Sequence, residues 1–230
     1  MTIYDALDHA VPVVFQSAVL SGGLLVAGGL LVHRRLAEGG VLPDEGITLR
    51  NVVEALTEYL LGLAEDIMGE RARDFMGLVC SIFFFILISN ILGLIPGLGG
   101  PTSFVETAAA WAIISFCVYN YAGVRTHGVS YIHQFMGPAF PVFGKNRRVG
   151  AFFFLPLEVI LHFARIATLT IRLVANMFAD HTVVAVWITL VPAVVPAIFM
   201  GLGTLVAFLQ AFVFALLTMI YIGGALEEAH

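Results

Sequence analysis

Three side chains of one apolar run have the types and spacing to do chemistry: Glu158, Arg165 and Arg172, each seven residues from the next. Seven residues fall only about 20° short of two helical turns. On a helix the three therefore share a stripe, spread over roughly 21 Å at about 1.5 Å per residue. Asn176 continues the stripe one turn on, and Asp180 and His181 stand towards the far end of the run. A charged side chain at the centre of a bilayer costs about 2.5–3.5 kcal/mol on insertion scales, so such groups face a protein interior or a water-filled path. Glu158 and Arg165 admit two readings: an internal ion pair that holds helices together, or a functional pair. Arg172 is different, because no acid stands three or four residues from it and the nearest on its helix is Asp180, eight away. A guanidinium without a counter-ion on its own helix points to a counter-ion on another chain. Histidine titrates near neutral pH and relays protons, so His181 is either a relay or a histidine wetted at the membrane interface. His162 reads as a packed or interfacial histidine, and Glu106 as an acid favoured at a helix N-terminus.

The elements that must position these groups are membrane helices. Of the 230 residues 60% are hydrophobic and only 12% charged, with a mean hydropathy of +0.96, whereas soluble domains carry about 25% charged residues. Lipid must be the solvent. The fold class is an all-α membrane protein of about five membrane-embedded helices with one amphipathic interfacial helix. Spans are expected at 13–32, 75–95 and 105–121, each near the roughly 20 apolar residues a crossing needs. The run 151–187 is too long for one upright helix, and a last run covers 191–222, with Pro192 and Pro196 at the turn into it. Between 48 and 68 the pattern changes: Leu56, Leu60, Leu63 and Ile67 recur at helical spacing while Glu54, Glu58 and Glu65 take another face. That is an amphipathic helix lying on the membrane surface or against a partner, with Thr48 as its N-cap. The chain shows no internal repeat and reads as one membrane domain, 1–230.

Cations set the orientation. Threading the spans alternately puts Arg34, Arg35, Arg50, Arg71, Arg73, Arg125, Lys145, Arg147 and Arg148 on one side, which the positive-inside rule makes cytoplasmic. The N-terminus is then outside and the C-terminus inside. The first apolar run follows Asp5 and Asp8 rather than Lys or Arg, so it reads as a retained span and not as a signal peptide. Cys80 and Cys117 lie inside apolar runs as small hydrophobes. No metal-spaced cluster, cofactor motif or basic stripe for nucleic acid is present in the sequence.

The stretch Thr168-Leu-Thr-Ile-Arg172-Leu173-Val-Ala-Asn176-Met177-Phe-Ala-Asp-His181 resembles the signature of ATP synthase subunit a, an Arg-Leu pair followed after two residues by Asn-Met. Gln210-Ala-Phe-Val-Phe-Ala-Leu-Leu-Thr218-Met-Ile-Tyr221 is similar to the family's last helix, and Ser89-Asn90-Ile-Leu-Gly-Leu-Ile-Pro96 with Pro101-Thr102 to its turn after the second span. The three blocks stand in the family's order, and with their spacing and the topology the resemblance covers nearly the whole chain.

The resemblance implies the stator ion channel of a rotary ATP synthase, with two offset half-channels that carry protons to and from carboxylates of a c-subunit ring. Arg172 matches the family's essential arginine facing that ring, Gln210 the polar residue near it on the last helix, and Asn176 the polar neighbour one turn on. Glu158 matches an acidic position on the cytoplasmic side and His181 a titratable position on the opposite access path. The last two runs would form a long tilted hairpin, tilt taking up the extra length. The implied partners are the c ring, b-type stator subunits, the rest of the complex and the lipid of an energy-coupling membrane, the bacterial plasma membrane. No nucleotide chemistry is expected in this chain. The chain departs from the family pattern at Gly203, where many members carry an acid or histidine, at His181, often an acid, and at Glu106, often Asn. A sodium-coupled version of the same subunit and a stand-alone secondary transporter are the alternatives; a transporter usually shows internal repeats.

Overall fold

The computed structural model describes residues 13–39, 46, 48–95, 99–128, 148–191 and 194–227. In hydrocarbon every backbone N–H and C=O must be satisfied within the protein, so the apolar runs become helices. Six α-helices result among the described residues: α1 Val13–Gly39, α2 Leu49–Met68, α3 Ala72–Leu94, α4 Val105–His127, α5 Arg148–Leu190 and α6 Val194–Leu226. Five helical stretches are long and apolar enough to cross a membrane, α2 and α3 counting together as one. The chain is an all-α integral membrane protein.

Helix α2 starts where the sequence places its cap: the Thr48 hydroxyl accepts from the Asn51 backbone N–H at 3.3 Å. Its buried apolar residues are Leu60, Ala64 and Met68, one per turn, and they join the core against α3 and α6 instead of facing lipid alone. Gly69 ends the helix at φ 63°, with its N–H donating to the Glu65 carbonyl; that left-handed conformation is one L side chains rarely adopt. A single 3-10 turn, Gly69–Arg71, leads directly into α3. Arg71 donates to the Thr126 hydroxyl at 2.6 Å, so the α2–α3 corner and the C-terminal end of α4, with Arg125, lie at one end of the bundle. Arg50 is 1% exposed and pairs with Glu54 at 3.0 Å.

Helix α3 ends at Leu94, and a second 3-10 turn, Pro101–Ser103, tucks back with Pro101 and Thr102 buried before α4 begins. Helix α6 is the centre of the packing. Its residues Gly203, Ala207, Ala211 and Ala215, four apart, are all buried. Small residues in this rhythm let membrane helices approach closely, since dispersion and interhelical hydrogen bonds rather than hydrophobic burial hold them together. A Cβ at Gly203 would stand 2.6 Å from Leu94 Cδ2, and the Asn90 amide of α3 reaches the Ala207 carbonyl at 3.3 Å. At the other end of α6, a Cβ at Gly223 would meet Ile67 of α2 at 2.9 Å.

Helices α5 and α6 form an antiparallel hairpin. Asn176 meets Gln210, the Trp187 and Phe199 rings stack with centroids 5.6 Å apart, and Arg165 lies over the Tyr221 ring. In each pair the two positions are equidistant from residue 193. One register therefore holds along the hairpin. Pro192 lies outside the described residues, and Pro196 is buried in the first turn of α6. A proline there loses no intrahelical bond.

Candidate functional site

The central part of α5 divides into two faces. Leu169, Leu173 and Met177 are buried, one per turn, and pack inward. Ile171 is 64% exposed and Phe178 70%, and Thr168, Ala175 and Ala179 are exposed beside them. Arg172 is half-buried at the edge between these faces. Among the described residues it makes no hydrogen bond and no ion pair. One turn on, the Asn176 amide donates to the Gln210 carbonyl oxygen at 2.8 Å, with Gln210 5% exposed. The structure thus brings Asn176 and Gln210 to one level of the hairpin, one helical turn from Arg172.

Arg165 lies two turns back in a different setting. Its guanidinium carbon stands 4.9 Å from the Tyr221 ring centroid and 6.0 Å from that of Tyr119. Cation–π attraction is worth about 0.5–2 kcal/mol, more when desolvated. His162 is buried against the rings of Phe116 and Tyr119, so it is a packed histidine. The Glu158 side chain lies outside the described residues. Neither arginine of the stripe has a counter-charge among the described residues, but they are not equivalent: Arg165 rests on aromatic faces and Arg172 does not.

A second polar region lies where α5 passes the C-terminal end of α3. The His181 imidazole meets the backbone there: a Cβ on Gly93 would be 3.2 Å from His181 Nε2, 2.6 Å from Met177 Cε and 3.3 Å from the Gly100 nitrogen. Thr102 donates to Asn90 Oδ1 at 2.7 Å, and both residues are fully buried. Around them Ser89 Oγ, Ser103 Oγ, Asp180 Oδ2 and His181 Nε2 are buried with no hydrogen-bond partner from the protein. Each such orphan costs about 1–3 kcal/mol unless water reaches it. Buried water gathers where several polar groups converge, so this cluster is a place for it. Asn90 and Thr102 were legible in the sequence only as part of a turn motif; the signal that marks them is polarity inside otherwise apolar runs. The buried Ser115–Thr218 hydrogen bond, 3.0 Å, joins α4 to α6. No group of three or more His, Cys, Asp or Glu side chains that could hold a metal occurs among the described residues.

Fold and site together define an integral membrane protein whose last two helices form a hairpin, with Arg165 and Arg172 in the stretch of α5 that is long and apolar enough to cross a membrane. A family model for the ATP synthase A chain matches residues 17–223, and the chain belongs to that family. It is 42% identical over 209 residues to an ATP synthase subunit a of Syntrophotalea carbinolica, covering 90% of this chain and 82% of the relative. It is 39% identical over 206 residues to the subunit a of Geotalea daltonii, covering 90% and 86%, and 38% identical over 198 residues to that of Bdellovibrio bacteriovorus, covering 84% and 81%.

Proposed function

We propose that this chain, acting as a single membrane unit, is the stator channel of a proton-translocating rotary ATP synthase, set against a ring of c-type hairpins and anchored by b-type subunits. The observation that carries the reading is Arg172: a permanently charged group at the edge of an exposed apolar face, with no counter-ion among the described residues. A ring carboxylate passing that face is the missing partner. Small side chains at Ala175 and Ala179 leave room for it to approach.

The chemistry follows from charge. A proton entering from outside neutralises a ring carboxylate, which then turns into lipid, where the neutral acid is far cheaper than the anion. After nearly a full rotation it meets the inner path and loses the proton. It must be ionised to pass Arg172, because the guanidinium favours the anion by direct attraction. Arginine is required since it keeps its charge where a desolvated lysine can lose it. The driving energy is about 2.3 kcal/mol per charge per 100 mV. On the outer side His181, with Asp180 and the polar cluster at Ser89 and Ser103, supplies titratable and hydratable groups. On the inner side Glu158 and the aromatic-held Arg165 line the exit. Asn176 and Gln210 hold the surroundings of Arg172 neutral, so its field is not cancelled from within. The N-terminus faces outside and the C-terminus the cytoplasm of a bacterial cell. ATP chemistry belongs to other subunits; this chain contributes position and electrostatics.

The test is replacement of Arg172 in the whole complex. Arg172→Ala and Arg172→Lys should both abolish proton-coupled synthesis while native gels still show a full complement of subunits. Normal coupled synthesis in either variant removes Arg172 from this role.

A further inference from the structure

The outer access side of this chain carries two glycines whose surroundings differ. Position 203 is closed: Leu94 occupies the space a side chain there would need, its Cδ2 being 2.6 Å from where the Cβ would lie. Position 93 is filled in the same way but by polar as well as apolar groups: an added Cβ there would stand 2.6 Å from Met177 Cε, 3.2 Å from His181 Nε2 and 3.3 Å from the Gly100 nitrogen. We propose that Gly93 is the positioning residue for His181, its missing Cβ leaving the room in which the imidazole sits, and that, with no acid or histidine on α6, proton entry runs through this imidazole. The inference rests on the proposed stator function and names which group on that path decides its pH response.

The charged neighbourhood is sparse, which is why one group dominates. Asp180 stands beside His181 on α5, half-buried, its Oδ2 without a hydrogen bond but its charge close enough to act on the imidazole. Helix α6 carries no Asp, Glu, His, Lys or Arg between Val194 and Leu226. Helix α3 has Arg73 and Asp74 only in its first turn, exposed and at the end away from Gly93. Helix α4 brings Glu106 in its first turn and Arg125 and His127 in its last, and the described charged side chains of α1, His33 and Arg34, are exposed. The near neighbours of the imidazole on the α3 side are the uncharged Gly93 and, beyond α3, Gly100. An added methyl at 93 therefore acts on the imidazole by contact, not by charge.

The experiment uses the intact complex in liposomes, with ATP synthesis driven by an imposed proton gradient at a series of outer-side pH values. His181→Ala should lower the rate and flatten the dependence on outer-side pH. Gly93→Ala should displace the pH of half-maximal rate and slow synthesis about tenfold, given that a misplacement of 1 Å can cost about a hundredfold. In the His181→Ala background, Gly93→Ala should add no further change. If His181→Ala leaves the profile as in the parent, the assignment of His181 to proton entry fails and this inference with it. If His181→Ala alters the profile but Gly93→Ala does not, or if Gly93→Ala acts equally in both backgrounds, only the seating role of Gly93 is overturned. Should Gly93→Ala fail to assemble, Gly93→Ala/Met177→Ala removes the closest contact, the flexible thioether, and leaves those with the imidazole and the Gly100 nitrogen. That variant should assemble with the same displaced profile; a parental profile, or failure of both variants to assemble, overturns the proposal.

Discussion

Removing the guanidinium of Arg172 gives the largest functional loss the geometry allows, and its size can be worked out. A ring carboxylate drawn to about 4 Å from the guanidinium gains about 4 kcal/mol at an effective dielectric constant of about 20, suited to a half-buried pair. Since about 1.36 kcal/mol is one unit of carboxyl pKa, Arg172→Ala takes about three units of preference for the anion from the passing carboxylate. Arg165 does not replace it. Seven residues along the helix place it about 10 Å away at about 1.5 Å per residue, where the same dielectric gives about 1.6 kcal/mol, and its guanidinium rests on Tyr221. Synthesis in Arg172→Ala should thus fall about a thousandfold, and in Arg165→Ala about tenfold at most. The assay is ATP synthesis by purified complex in liposomes under an imposed potential, normalised to the amount of assembled complex. Equal losses in the two variants would refute the reasoning, for they would mean that the charge acts at a distance and that the missing partner of Arg172 is irrelevant.

The Asn176–Gln210 bond is open to a double-mutant cycle: Asn176→Leu or Gln210→Leu alone strands a half-buried or buried amide at about 1–3 kcal/mol, and the double variant should cost less than the sum in detergent unfolding of the complex. Gly203→Leu adds volume against Leu94 and should destabilise by about 1–3 kcal/mol, read as a lower unfolding temperature, with Leu94→Ala restoring most of it. Tyr221→Leu removes the closer aromatic face from Arg165 and should cost about 0.5–2 kcal/mol; in an Arg165→Met background the same change should cost markedly less.

The helical plan could be read from composition and length, because hydrocarbon leaves the backbone little choice. The ends were less legible. Helix α4 continues to His127, past the expected 121, and α1 to Gly39, past the expected 32: a helix leaving the apolar zone ends where capping or a left-handed glycine such as Gly128, φ 56°, stops it, not where hydropathy falls. The amphipathic pattern of 48–68 identified α2, yet the sequence had no way to show Ile67 pressed against Gly223, since that contact spans most of the chain. Arg165 and Arg172 looked alike as a spaced pair. What separates them is tertiary: Tyr119 and Tyr221, remote in sequence, put aromatic faces beside Arg165 and not beside Arg172. Gly93 and Gly203 likewise carry no meaning as letters, because a glycine's role lies in what fills the space beside it.

The uniform register of the hairpin has a consequence for how such a chain can change length. Asn176 and Gln210 stand 34 residues apart, and their bond exists only because both arms count the same number of residues from the bend. Inserting or losing one residue within either helical arm between them would swing one amide by about 100° around its axis and slide it by about 1.5 Å, enough to part a 2.8 Å hydrogen bond. Each arm thus works as a measuring rod: its composition is free to drift within the limits of lipid and packing, but its length is not.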